Sequence, residues 1–210
     1  MRSSILELDF GRCAIVSLSD DELADAFAAL PDDERAIASQ LGPKRRGEHV
    51  AGRVAMRMLL PDAPSIGVTD RGGPQMPAGW VGSISHKPAV AAALVAPAGA
   101  GHVGVDLEVA TARPIDVSSR ILTPRERAAL PDRGAAVTLR FAIKEAIYKA
   151  VDPFVRRYVG FTEVELDVGD DGSCAVTVVD PARLPLMIEA RWRELDGFWL
   201  ATARALRTSP

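Results

Sequence analysis

Val103-Gly104-Val105-Asp106-Leu107-Glu108-Val109 alternates apolar residues with glycine and acids, the period-two pattern of a β-strand. Alternation puts Asp106 and Glu108 on one side and turns Val105 and Leu107 toward the core. Two carboxylates about 7 Å apart on one face repel each other unless a proton or a cation lies between them. Hard oxygen ligands of this kind suit Mg²⁺, above all when the ion also grips a substrate phosphate. A solvated edge strand with two surface acids has the same pattern, so the stretch needs support from its surroundings.

Working toward the C-terminus, helices are predicted around Thr123–Leu130 and Ala135–Val151. Three strands follow at Glu163–Val168, Ala175–Val179 and Glu189–Leu206, the last split into a hairpin at Asp196-Gly197. Working toward the N-terminus, Pro97 to Gly101 reads as a joint, preceded by a strand, a turn near Lys87-Pro88 and a second strand. Residues 61–79 are rich in Pro and Gly and predict a long loop turning at Arg71-Gly72-Gly73-Pro74. A helix from about Lys44 to Leu60 stops at Pro61, and an earlier one opens at Ser19 or Asp20, where acids favour a helix N-terminus. Strands at Ile5–Leu8 and Ala14–Leu18 start the chain. Each half thus combines helices with a late β-hairpin. The expectation is an α+β fold of two similar α/β halves, residues 1–100 and 101–210, related by a pseudo-twofold with the active site at their seam.

The second motif is Phe141-Ala142-Ile143-Lys144-Glu145-Ala146-Ile147-Tyr148-Lys149-Ala150. On a helix Glu145 and Lys149 are neighbours at i and i+4, a pair common on ordinary helix surfaces. Here Phe141, Ile143, Ala146 and Ile147 spread apolar groups over several sides, which predicts a helix buried on more than one face. Charges on such a helix require a ligand or a partner.

Residues 44–57, KRRGEHVAGRVAMR, hold five of the chain's 25 basic residues and one acid. At about 100° per residue Arg46, Arg53 and Arg57 share a narrow arc with His49 nearby, and the apolar side is filled by Val50, Val54, Met58, Ala51, Ala55 and Leu59. Guanidinium groups presented in this way suit phosphate recognition, and a solvated cationic face is the plain alternative. Gly82-Ser83-Ile84-Ser85-His86 adds hydroxyls and an imidazole able to hydrogen-bond phosphate oxygens at a strand end. No nucleophile-elbow pattern accompanies this Ser–His pair.

The remaining composition sets limits. The 210 residues are 48% hydrophobic and 25% charged, ordinary for a globular protein large enough to bury a core. A net charge of −3 argues against general nucleic-acid binding. Cys13 and Cys174 belong to no CxxC pattern and read as reduced thiols. The N-terminus lacks a signal-peptide apolar core, and the longest apolar stretch is too short to span a bilayer. A cytoplasmic protein is expected.

Taken together and in this order, the motifs resemble those of the 4′-phosphopantetheinyl transferases, most closely the single-chain, pseudo-dimeric kind serving siderophore, nonribosomal peptide and polyketide synthases. The match covers roughly residues 40–165, with GxDxE at Gly104–Glu108, SxSH at Ser83–His86, and WxxKEAxxKA at Phe141–Ala150, where Phe141 replaces Trp. The resemblance implies transfer of phosphopantetheine from coenzyme A, the co-substrate, to a serine of an acyl or peptidyl carrier protein, releasing adenosine 3′,5′-bisphosphate. It implies Mg²⁺, with Mn²⁺ as an alternative, held by Asp106, Glu108 and Glu145. It makes Glu145 the general base, directly or through water, and gives Lys149 and His86 the charge on the pyrophosphate. Arg53 with Arg45 or Arg46 would hold the 3′-phosphate, with Arg71 near the adenine and phosphates and Ser85 beside His86. The carrier protein should be acidic and helical. Pro114–Arg133, with Arg120, Arg125, Arg127, Arg133 and the apolar Ile121 and Leu122, offers it a docking surface. Internal duplication lessens the need for a partner copy, so a monomer is expected. Two rival readings are a Mg²⁺-dependent phosphohydrolase using the same acids and a non-catalytic module that binds coenzyme A.

Overall fold

The computed structural model describes residues 1–130 and 134–208, and its backbone divides into two compact units, Met1–Ala100 and Gly101–Pro210. In the first unit, β1 (Arg2–Leu8) and β2 (Gly11–Ser17) form a hairpin. Ser19 then caps α1 (Asp20–Ala29): its hydroxyl accepts from the Glu22 amide while the Glu22 carboxylate accepts from the Ser19 amide. This reciprocal capping box satisfies two amides that a helix start leaves unpaired. A short helix, α2 (Asp32–Ser39), was not expected. Next comes α3 (Pro43–Leu59), which starts on a proline whose missing N–H costs a helix nothing at its first position.

The Pro- and Gly-rich stretch is largely loop, as expected, but includes a small ladder of β3 (Gly67–Val68) and β4 (Pro74–Gln75). Gly72, at φ 82°, takes the left-handed turn conformation between them. The hairpin of β5 (Trp80–Lys87) and β6 (Val90–Pro97) completes an antiparallel sheet in the order β1-β2-β6-β5. Ala51, Ala55, Met56 and Leu59 of α3 bury against Ala14, Val16, Ala91, Ala93 and Val95 of this sheet. A side chain at Gly52 would put its Cβ 2.8 Å from Ile84 Cγ2, so the glycine lets α3 rest on β5.

The second unit opens on β7 (His102–Val109), continues through α4 (Ser118–Ile121), α5 (Pro124–Ala129) and α6 (Gly134–Val155), and ends in β8 (Val164–Val168), β9 (Ser173–Val178), β10 (Leu186–Leu195) and β11 (Phe198–Arg207). Its antiparallel sheet has the order β7-β11-β10-β9-β8. In both units the last strand returns past the helices to pair with a strand that precedes them, β6 with β2 and β11 with β7. The long helix of each unit packs on that pair.

Ala142, Ala146 and Ala150, one helical turn apart and fully buried, face the sheet together with Ala201, Ala203 and Ala205 of β11. Gly104 is needed for this approach, because a Cβ there would lie 1.9 Å from the Ala146 carbonyl oxygen. The strand carrying the acids is therefore pressed against the helix carrying Glu145 and Lys149.

The expected alternation of the acid strand holds, and its acid-bearing face is covered rather than solvated. By alternation Asp106 and Glu108 share the Gly104 face, against α6, and are only 5% and 8% exposed. Val105 and Leu107 are buried on the opposite face. A solvated edge strand with two surface acids is thereby excluded.

Both cysteines are free and buried, and burial pushes the Cys174 thiol up to about 12. Among the described residues, no helix is long and apolar enough to cross a membrane.

Candidate active site

The geometry of the second unit starts from its closest charge contact. Lys149 of α6 reaches β7, where its Nζ donates to Asp106 Oδ1 at 2.7 Å and to the Val105 carbonyl at 2.9 Å. Two turns of α6 earlier, Phe141 supports the Arg113 guanidinium, whose carbon lies 3.8 Å from the ring centroid. Arg113 Nη2 in turn donates to Glu108 Oε1 at 3.0 Å. Each strand carboxylate thus has its own cation, which offsets the cost of burying two like charges on one face. Glu145, half-buried, is one helical turn before Lys149 on the same side of α6.

Among the described residues, no three His, Cys, Asp or Glu side chains gather closely enough to hold a metal ion. The structure brings Asp106 together with Lys149, and does not bring Asp106, Glu108 and Glu145 into a ready three-ligand cage. The donor set fits Mg²⁺ in its chemistry: hard carboxylate oxygens on one strand face, with a third carboxylate on the helix packed against that strand.

Lys144, next to Glu145, is 1% exposed. Its Nζ donates to Glu126 Oε2 at 2.6 Å and to the Ile121 carbonyl at 2.9 Å. Burial lowers the Lys144 pKa, and the Glu126 carboxylate opposes that shift. Glu126 also accepts from the Thr123 amide at 2.7 Å and from the Leu166 amide at 3.0 Å. One carboxylate therefore joins the start of α5, the middle of α6 and β8. Sequence reasoning assigned Lys144 no role. The available signal was a lysine placed between Ile143 and Ala146 on a helix with apolar residues on several sides.

In the first unit the basic helix differs from the expected open stripe. Arg53 is 4% exposed; its Nη2 donates to the Gly67 carbonyl at 2.9 Å, and its Nε lies 3.9 Å from Glu34 Oε2. Arg57 Nη2 donates to Glu34 Oε1 at 2.6 Å, and the Ile66 amide donates to the same oxygen at 2.7 Å. Arg46 Nε donates to the Ala38 carbonyl and its Nη2 to the Leu41 carbonyl, both at 3.2 Å, satisfying acceptors at the end of α2. Glu34, fully buried on α2, is the anion that draws Arg53 and Arg57 inward. Arg45 remains exposed on α3, and Arg71 is exposed at the turn between β3 and β4.

On β5, Gly82, Ile84 and His86 share the face toward α3, while Ser83 and Ser85 are buried on the other face. Ser85 and His86 therefore lie on opposite faces of β5. His86 Nδ1 lies 3.6 Å from Glu48 Oε2 on α3. His49, one turn from Arg53, has its pKa pushed down to about 4, first by burial and then by the Arg53 and His86 charges. It is neutral near pH 7.

The His49 shift sets a direction for stability. The unfolded chain takes up a proton near pH 6.5, whereas the folded chain resists it until about pH 4. This stability is therefore complete above pH 6.5 and is lost as the pH falls toward 4. Thermal midpoints should fall between pH 7 and pH 5, and His49→Gln should flatten the slope by on the order of 1 kcal/mol over that range. Identical slopes in the two proteins would remove His49 as the cause.

The expected carrier surface also changes. Ile121 and Leu122 are 2% and 1% exposed and pack with Val137 and Phe141 in a satellite core, so they offer no surface contact. Ile115, 74% exposed, is the large apolar side chain presented by this segment. Arg120 is exposed, Arg127 is half-buried, and Arg125 Nη1 donates to Glu165 Oε1 at 2.9 Å; Arg133 lies outside the described residues.

Comparison with known proteins matches residues 102–203 to the 4′-phosphopantetheinyl transferase superfamily and residues 33–96 to the 4′-phosphopantetheinyl transferase N-terminal domain. The chain is 31% identical over 205 residues to the 4′-phosphopantetheinyl transferase Npt of Nocardia iowensis, covering 85% of this chain and 90% of that protein. It is 33% identical over 154 residues to the 4′-phosphopantetheinyl transferase PptT of Mycobacterium tuberculosis, covering 69% and 67%. It is 35% identical over 138 residues to enterobactin synthase component D of Escherichia coli, covering 60% and 63%. The strand–helix contact of Asp106 with Lys149 falls inside the first of the matched regions and the Arg53–Glu34 cluster inside the second. The chain belongs to the 4′-phosphopantetheinyl transferase superfamily, a family of transferases.

Proposed function

We propose that this enzyme transfers 4′-phosphopantetheine from coenzyme A to a serine of an acyl or peptidyl carrier protein, with Mg²⁺ or Mn²⁺ as the metal. The observation carrying this reading is the contact that seats the lysine of the KEAxxKA helix on the first acid of the GxDxE strand, at 2.7 Å. Asp106, Glu108 and Glu145 would hold the metal, which when bound supplies positive charge to the coenzyme A pyrophosphate.

The chain's own residues then divide the work. Glu145 takes the proton from the serine hydroxyl, directly or through water, as the serine oxygen bonds to the pantetheine-side phosphorus. The bond from that phosphorus to the bridging oxygen breaks, and the leaving group is adenosine 3′,5′-bisphosphate. Lys149 uses two N–H donors on Asp106 and Val105, so the third is available to stabilise charge on the bridging oxygen. Arg45 and Arg71, both exposed, together with His86, are the proposed contacts for coenzyme A phosphates. Arg46, bonded to carbonyls, and Arg53, bonded to the Gly67 carbonyl and beside Glu34, act through the shape of this helix. The relative from Escherichia coli is named for enterobactin synthase, which places siderophore carrier domains among the substrates to try first.

Metal removal tests this reading. Stripping the protein with a chelator should abolish carrier modification, and Mg²⁺ or Mn²⁺ should restore it. Undiminished transfer with excess chelator would contradict the assignment of the three carboxylates.

A further inference from the structure

The proposed metal edge is held from behind by the loop that follows β7. The Thr138 hydroxyl on α6 donates to the Thr111 carbonyl at 2.8 Å, and one turn later Phe141 of α6 lies against Arg113 of the same loop. Phe141 is itself fixed, packing on Phe161 at a centroid distance of 5.5 Å and on the satellite core of Ile121, Leu122 and Val137. The guanidinium of Arg113 uses its flat face on this ring and its edge on Glu108 Oε1, 3.0 Å away. A planar cation can do both at once, whereas an ammonium is a point charge without the rigid fork.

We infer that Arg113 is a positioning residue that fixes the Glu108 carboxylate relative to α6, with Phe141 as its platform. The aromatic at the first position of the WxxKEAxxKA element thus has a task beyond filling space. It links the helix bearing Glu145 to the second acid of the strand, through Arg113. Glu108 is 8% exposed, so loss of Arg113 removes from a buried carboxylate the guanidinium that donates to its Oε1 and helps to set its direction. Phe141 in place of Trp retains the ring that this arrangement needs.

This inference rests on the reading of Glu108 as a metal ligand. The test measures Mn²⁺ binding to the full chain with saturating coenzyme A, by electron paramagnetic resonance of the free ion. Arg113→Ala and Phe141→Leu should weaken Mn²⁺ binding by about 10–100-fold, the usual loss when a group orienting a metal ligand is removed. Phe141→Trp should bind as the wild type does, and Arg113→Lys should recover only part of the loss. The KM for coenzyme A should stay within about twofold in all four, far below the effect expected on the metal. Wild-type or tighter Mn²⁺ binding by Arg113→Ala, with Glu108→Gln impaired, would overturn the inference and leave the metal reading intact. Wild-type binding by Glu108→Gln would overturn the metal reading and this inference with it.

Discussion

Glu145→Gln is expected to lower the rate of carrier modification by about 10²–10⁴-fold, the contribution typical of a positioned general base. Coenzyme A affinity should change only a few-fold, because the amide keeps the shape of the side chain and an oxygen ligand. The expectation follows from the placement of this carboxylate. It is one turn of α6 before Lys149, which already holds Asp106 at 2.7 Å, and it is half-buried rather than sealed in the core. A proton acceptor must be reached by the incoming hydroxyl, and Lys144, its 1% exposed neighbour, is not placed to meet one. Single-turnover rates with saturating coenzyme A separate this loss from a binding defect. A variant that transfers near the wild-type rate would assign the base elsewhere.

Glu126→Ala should destabilise the fold by about 3–5 kcal/mol, the cost of leaving one member of a buried ion pair uncompensated. The two partners are both essentially buried, Lys144 at 1% and Glu126 at 3%. The substitution also strands the amides of Thr123 and Leu166, which Glu126 now accepts. Its effect should reach the site, since the same carboxylate fixes the roll of α6 and therefore the direction of Glu145. Lys144→Met should cost less than Glu126→Ala, because it removes the buried charge together with part of its desolvation penalty while keeping an apolar chain in place. Denaturant midpoints for the two variants measure the difference; equal midpoints to the wild type would deny the pair its structural role.

Much of this molecule was legible in the sequence, for physical reasons that also explain what was not. Local chemistry announced the capping box at Ser19, the stop of α3 before Pro61 and the hairpin at Asp196-Gly197, because caps and turns are decided by a few adjacent residues. The strand of Asp106 and Glu108 and the helix of Glu145 and Lys149 were legible from periodicity. Their mutual contact was not, since it depends on Gly104 letting a helix come within reach of a strand.

The arginine stripe failed for a related reason. A helical wheel shows which residues share an arc, and says nothing of what faces them. Glu34 looks in sequence like one more acid at a helix start, beside Asp32 and Asp33, yet it is the buried anion that draws in Arg53 and Arg57. Lys144 was hidden in the same way, because its partner Glu126 belongs to another helix. Arg113 carried no signal of its own until the structure placed it on Phe141.

The most direct test of the central claim is the intact mass of an apo carrier domain after incubation with this enzyme, coenzyme A and Mg²⁺. The account predicts a gain of one phosphopantetheine arm on the carrier serine and stoichiometric release of adenosine 3′,5′-bisphosphate. An unmodified carrier accompanied by free phosphopantetheine would contradict it in favour of hydrolysis, and an unmodified carrier with intact coenzyme A would contradict it in favour of binding without catalysis.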